Sequence, residues 1–369
     1  MGALCAKGGA EGGGEVDAKT KAIDASLAAD SAALAKELKV LVLGTAESGK
    51  SSLLKQLRLC YAGGYSLDDR AALAPAVRAA AYNAMRTLIK AAERFDIQIK
   101  SKQNRGLASD FEAPASASLS VELAEAMQAL WKDPGIAKAY SRRHELGSEL
   151  SDSAGYLVQN AERFAQSDYV PTEGDVLRTR LPQSGIVSVG IDWRSFRLVA
   201  VDVAAQRSDK KRWIHYFEDV VAVAFVAALS HFDVLVTKSA ASDGGSEATA
   251  STANALLEAE QLFHTVAKSD WFPHAQIMLF LNKRDLFKDK LAQGRQLTLA
   301  YPDYAGDHSD QDAFQFVADK FTKPIASTLK RPVLVFSLTA TDQDVARDIL
   351  KQLADTVVDQ RPSHANKPL

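Results

Sequence analysis

The stretch KVLVLGTAESGKSSLLKQLRL, Lys39 to Leu59, constrains the architecture of this chain more than any other. A continuous apolar run ends at Gly44 and reads as a buried strand, and KSSLLKQLRL after it has helical spacing. The loop between them fits G-x-x-x-x-G-K-[ST] from Gly44 to Ser51. In such a loop backbone N–H groups wrap phosphates, Lys50 neutralises their charge and the Ser51 hydroxyl can ligate magnesium. The predicted phosphate site takes in Glu47, Ser48, Gly49, Lys50, Ser51 and Ser52. A surface turn can match by chance, but the strand before and the helix after favour nucleotide binding.

Further buried-strand runs occur at FRLVAVDV (196 to 203), VVAVAFVAAL (220 to 229), QIMLFLN (276 to 282) and PVLVFSL (332 to 338). Helical patterns separate several of them, which predicts a mostly parallel sheet covered on both faces. Between Ala62 and Leu177 the segments PAVRAAAYNAMRTLIKAAERF and VELAEAMQALW are alanine-rich and helix-periodic, with no convincing strand. We read this as an all-helical insertion of about a hundred residues, an ordinary domain size. Ahead of the first strand, Ile23, Leu27, Leu34 and Leu38 share one helical face, suited to packing at home or on a partner. KSAASDGGSEATASTA (238 to 253) has the composition of a flexible surface loop.

A net charge of -2 offers no global basic surface, so nucleic acid is not an expected partner. Two cysteines, Cys5 and Cys60, make a disulfide framework improbable and fit a reducing compartment. No apolar run approaches membrane-spanning length and the start lacks a secretory signal. The opening MGALCAKGG still bears on membranes: Gly2 is a candidate for myristoylation and Cys5 for palmitoylation, two chains that together anchor stably. Ala6 stands where the acylation pattern prefers Ser or Thr, so a plain disordered start is the competing reading.

The base is read elsewhere. In FLNKRDL, Asn282 and Asp285 follow a buried strand, and a carboxylate there can accept both hydrogen bonds from guanine N1 and N2, which adenine cannot supply. Lys283 can cover the base or ribose with its aliphatic stem. SLTATD, after the last strand, can offer the Ala340 N–H to guanine O6. A polar strand-to-helix turn and a Thr/Asp helix cap are the ordinary alternatives for these two motifs. A P-loop ATPase or kinase leaves the Asn282-to-Asp285 motif unexplained.

With these motifs in place, the chain resembles the α subunits of heterotrimeric G proteins over nearly its whole length. The fragments that carry the likeness are GTAESGKSS, LWKDPGIAKAY, DSAGYL, DYVPTEGDVLRTR, DVAAQRSDKKRWIHYFED, FLNKRDLF and TATD, in the family's order. The resemblance implies a P-loop GTPase domain with a mostly parallel six-stranded sheet, residues 39–61 and 178–369, interrupted by a helical domain at 62–177. Residues 1–38 would form a lipid-anchored partner helix. GTP and GDP would be substrate and product, with Mg2+ as cofactor. Partners would be a G beta-gamma dimer, a G-protein-coupled receptor and an effector, at the cytoplasmic face of the plasma membrane.

By the same match, Arg180 would be the built-in arginine finger and Gln206 would orient the attacking water. Asp202 would hold magnesium through water. Asp152, Ser153, Leu177 and Arg178 would line the nucleotide from the helical side and its linker. Asp152 can reach Lys283 and clip the cleft shut, although SDS can equally cap a helix.

Three positions depart from the family pattern. Ala46 replaces a loop glycine beside the reacting phosphate, and a misplacement there of about 1 Å can cost roughly a hundredfold in rate. Gln183 stands where the family has a magnesium-ligating threonine, next to Pro182, which stiffens the loop. Ala205 replaces the switch glycine, with Ala204 beside it, and a Cβ there would impede a GTP-triggered swing. Lys210 and Glu258 can still pair between this switch and the next helix. The loop at 238 to 253 looks about a dozen residues longer than the family's third switch, beyond ordinary connection lengths. The tail DQRPSHANKPL matches no receptor-coupling end.

The leading expectation is therefore a guanine-nucleotide switch with slow GTP hydrolysis. The alternative is a switch-impaired, nucleotide-bound scaffold that sequesters G beta-gamma or an effector.

Overall fold

The computed structural model describes residues 36–112, 119–181, 186–202, 219–238, 251–307, 309–329 and 331–360. Gly2, Cys5, residues 1–35 of the expected partner helix, Gln183, Ala204, Ala205, Gln206, Lys210 and the tail from Arg361 lie outside the described residues. The end of the expected helix is corrected: Glu37 and Leu38 belong to a strand, where Leu38 pairs with Leu198 and is buried in the sheet core.

A six-stranded sheet carries the fold. Its strands are β1 (Glu37–Gly44), β2 (Val187–Trp193), β3 (Phe196–Asp202), β4 (Val220–Ala228), β7 (Gln276–Asn282) and β8 (Leu334–Ser337). They run in the order β2-β3-β1-β4-β7-β8. Every pair is parallel except β2 with β3. All seven residues of β7 are buried, as a continuous apolar run between two helical layers requires.

Each face of the sheet has its own core. Helices α1 (Lys50–Tyr61) and α12 (Gln343–Asp359) close one face, where Leu53, Leu57, Leu350 and Val357 meet Val40, Val42 and Phe280. Helices α9 (Ala255–Ala267), α10 (Arg284–Ala292) and α11 (Asp310–Thr322) close the other, through Phe263, Phe287 and Phe321 on Phe225 and Leu279.

Between α1 and β2 the described chain forms helices alone: α2 (Leu67–Arg94), α3 (Lys102–Ala108), α4 (Val121–Trp131), α5 (Pro134–Ser141), α6 (Ala154–Gln159), α7 (Ala161–Ala165) and α8 (Glu173–Arg178). They enclose a separate core of Val77, Met85, Leu88, Met127, Leu130 and Phe164. Helix α2, 28 residues long, starts from a capping box in which Ser66 and Asp69 satisfy each other's backbone N–H.

The 238 to 253 stretch is not loop throughout. Leu235–Lys238 (β5) and Ser251–Asn254 (β6) pair as an antiparallel hairpin, so the loop reading is corrected at Lys238 and from Ser251 to Ala253. Alternation of small and β-branched residues, weak in STAN, is all that marks a strand there. Residues 239–250 lie outside the described residues.

Candidate functional site

In an open parallel sheet, ligands bind beyond the carboxyl ends of the strands, where successive connections leave in opposite directions. Here β1 is that strand, with β3 on one side and β4 on the other. Its carboxyl end is the phosphate loop. Gly44 has φ 146° and Gly49 has φ 105°. A Cβ on Gly44 would collide with the Val226 carbonyl oxygen, and one on Gly49 with the Asn282 side-chain nitrogen. Both glycines are thus required by backbone conformation and by close approach.

Gly49 is the N-cap of α1, with no side-chain cap. The first N–H groups of this helix are therefore directed at the loop, where an anion satisfies them and gains from the helix dipole. Lys50 Nζ donates to Gly44 O at 3.0 Å and Thr45 O at 2.7 Å. Burial lowers its pKa, and the Asp202 carboxylate opposes that shift. Ala46 is exposed and lines the cleft beside Glu47, Ser151 and Asp152.

Asp202, at the carboxyl end of β3, is 3% exposed. Burial raises its pKa, and the Lys50 ammonium offsets only part of that rise. Its Oδ1 and the Ser48 Oγ are buried with no hydrogen-bond partner among the described residues. One hydroxyl, Ser51, and one carboxylate, Asp202, opposite a phosphate loop form a donor set that suits Mg2+, which takes few protein ligands and completes its shell with phosphate oxygens and water. The residues present fit the ion. Among the described residues no group of three or more His, Cys, Asp or Glu side chains is placed to hold a metal by protein ligands alone.

At the carboxyl end of β7, Asn282 is 2% exposed and acts as a strut. Its Nδ2 donates to Ser48 O at 2.8 Å, and its Oδ1 accepts from the Ala340 N–H at 3.0 Å. Gln56 Nε2, from α1, donates to Ala340 O at 2.9 Å. The phosphate loop, the end of β7 and the loop after β8 are thereby tied into one frame. In this geometry the Ala340 N–H serves Asn282. Asp342 caps α12 by accepting from Asp344 and Val345 N–H, so the ordinary reading of TATD as a helix cap holds at Asp342. Asp285 sits exposed in the first turn of α10, its carboxyl pushed up by the protein mass beside it and pulled down by the Leu286 N–H.

The helical body closes the other side. Lys283 Nζ donates to Asp152 Oδ2 at 2.5 Å. Burial would raise the Asp152 pKa, but the Lys283 ammonium more than offsets it and holds the carboxyl below its ordinary value. Ser153 occupies the N-cap of α6 without a side-chain cap. Leu177 is 5% exposed, and Arg178 bonds to Gly174 O and lies 4.6 Å from the Tyr156 ring centroid. Arg180 reaches across the cleft, its Nη1 donating to Glu47 Oε1 at 2.8 Å.

Sequence reasoning overlooked three contributors. Lys55, buried in α1, donates to Val176 O at 2.8 Å and Thr179 O at 2.7 Å, closing the end of α8 two residues before Arg180. Burial lowers its pKa to about 8. Gln56 braces Ala340, and His231, in the turn after β4, meets Lys283. A His at the carboxyl end of an apolar strand was the available signal; Lys55 and Gln56 looked like ordinary polar positions of an amphipathic helix.

A family model described as the G-protein alpha subunit matches residues 17–357. The guanine nucleotide-binding protein G(o) subunit alpha of Lymnaea stagnalis is 32% identical over 345 residues, covering 92% of this chain and 93% of that protein. The protein of the same name from Planorbella trivolvis gives the same identity and coverage.

Proposed function

The chain belongs to the G-protein α-subunit family, and from that membership and the geometry of its site we propose how it works as a guanine-nucleotide switch. It is a guanine-nucleotide-binding signal transducer and a GTPase, with a P-loop sheet domain and a helical insertion. The scaffold alternative is not favoured.

The observation that carries the mechanism is the Asn282 frame, which sets the phosphate loop and the loop after β8 at a fixed distance. In our reading the loop N–H groups from Glu47 to Ser52 and the Lys50 ammonium hold the phosphates. Asp285 accepts from the guanine edge, and Lys283 and Ala340 flank the base. Ser51 and Asp202, the latter through water, would hold Mg2+, and the ion when bound would supply neutralisation of charge on the phosphate oxygens. Asp152, Ser153, Leu177 and Arg178 close the cleft from the helical side.

Hydrolysis is in-line attack of water on the γ-phosphoryl group, giving GDP and phosphate. Gln206 orients the water and Arg180, released from Glu47, stabilises charge on the transferring group. We propose slow turnover because of Ala46, Gln183 and Ala205. The domain limits proposed are 1–36 for a partner helix, 37–61 with 178–369 for the GTPase domain and 62–177 for the helical domain, the first boundary being set by the start of β1.

Among the described residues no helix is long and apolar enough to cross a membrane. We propose peripheral attachment to the cytoplasmic face of the plasma membrane through Gly2 and Cys5, and partnership with G beta-gamma, a G-protein-coupled receptor and an effector. Competition of GTP, GDP and ATP for a fluorescent guanine nucleotide tests the site. Guanine preference supports it, and ATP preference would refute it.

A further inference from the structure

The turn that follows β4, Leu229–Asp233, carries a side chain that the nucleotide scheme leaves unused. His231 is 9% exposed, and its Nε2 lies 3.3 Å from Lys283 Nζ. The same ammonium donates to Asp152. An ammonium has three donors and no acceptor, so the imidazole nitrogen at this contact is the acceptor and carries no proton. Lys283 is the N-cap of α10 in left-handed backbone (φ 60°), a conformation disfavoured for a side chain of its kind. Its side-chain contacts therefore help to hold it.

We propose that His231 is a positioning residue for nucleotide retention: its neutral Nε2 holds the Lys283 ammonium in line with Asp152, so that one lysine joins the sheet body to the helical body over the nucleotide. This rests on the nucleotide-site reading above. Neutrality is what the position requires. A carboxylate at 231 would compete with Asp152 for the ammonium, whereas a neutral nitrogen accepts a hydrogen bond without drawing charge away from the bridge.

The surroundings keep the imidazole neutral. Burial comes first, then Lys283 at the N-cap of α10; Asp152 works in the opposite direction and Lys290 of α10 adds a smaller push, so the pKa is pushed down to about 3. Asp233, in the same turn, is occupied by Lys290 and Arg295. Glu47 of the phosphate loop, Arg143 and His144 of the helical body and Glu258 of α9 line the same cleft. When the two bodies separate, water reaches His231 and its pKa returns towards about 6.5. The open form then binds more protons than the closed form, so acid favours opening below about pH 6.5.

The test is release of N-methylanthraniloyl-GDP from the full chain at pH 7.5 and 5.5, with thermal unfolding to compare the variants' stability. At pH 7.5 His231→Phe should release GDP about tenfold faster, the scale of one hydrogen bond to a charged group. His231→Gln, whose amide oxygen can accept in the same place, should recover most of that loss. Wild-type release should quicken several-fold at pH 5.5, on the scale of the linkage above. That acceleration should vanish in His231→Gln and persist in His144→Gln.

Unchanged release in a folded His231→Phe, or acid acceleration that survives in His231→Gln, overturns the proposal. Failure of the wild-type chain to bind the labelled GDP would sink the nucleotide-site reading, and this inference with it.

Discussion

Arg180 Nη1 donates to Glu47 Oε1 at 2.8 Å, so the linker from the helical body is tied to the phosphate loop by the same guanidinium that we propose acts in hydrolysis. Arg180 is 77% exposed and Glu47 22%, which places the pair in a well-screened setting. The bond is therefore weak enough to exchange for a phosphate.

Glu47→Gln removes the charge partner and leaves the loop backbone intact. Release of GDP should accelerate by about threefold, since a screened pair contributes about 0.2–1 kcal/mol. Raising salt from low to physiological strength should shrink the difference between wild type and variant. The measurement is labelled-GDP release at two ionic strengths.

Asn282→Ala should do far more damage. Two buried hydrogen bonds disappear, to Ser48 O and from the Ala340 N–H, at about 1 kcal/mol each, with a further cost for the groups left unpaired. The expected result is about 2–4 kcal/mol lost in denaturant unfolding, together with weakened binding of guanine nucleotide. Gly49→Ala, which places a methyl group against the same side chain, should show the same pair of effects.

Asp285→Ala removes the acceptor we propose for the guanine edge without touching the phosphate loop. Discrimination between GTP and ATP should fall by about two orders of magnitude or more, as expected when a site loses its hydrogen bonds to the base. Competition binding with the two triphosphates measures it. Unchanged selectivity would place the base elsewhere.

Lys55 supplies a pH dependence. Its folded-state pKa is lowered to about 8, against about 10.4 for an unperturbed lysine. Between those values the unfolded chain binds more protons than the folded one, so this group's contribution to stability rises with pH. Below about pH 8 both states are protonated and the contribution is flat. The stability of wild type relative to Lys55→Gln should therefore rise from about pH 8 to pH 10, read from urea unfolding, while being constant from pH 6 to 7.5.

The sheet was legible where the chain is buried on both faces. QIMLFLN coincides with β7, and VVAVAFVAAL contains β4, because a continuous apolar run leaves little else for the backbone to do. The edge strand β2 escaped notice: VSVGIDW is half-exposed and contains Gly190, so its pattern is weak, and its place is set by pairing with β3. The β5–β6 hairpin was hidden for the same reason. At the site, residue types and their order pointed to Lys50, Asn282, Lys283 and Asp285. The work assigned to Asn282 differs, because its role as a strut depends on how closely β7 approaches the phosphate loop, which no spacing along the chain encodes. Lys55 and His231 act through contacts 124 and 52 residues away in sequence, and local reading is blind to such pairs.

The most direct measurement of the switch is single-turnover hydrolysis of preloaded GTP with magnesium, beside equilibrium binding of GDP. The account predicts measurable phosphate release that falls by about a thousandfold in Arg180→Ala, the general scale of an arginine finger in this family, while GDP binding survives. Tight GDP binding with no hydrolysis in the wild-type chain would contradict it.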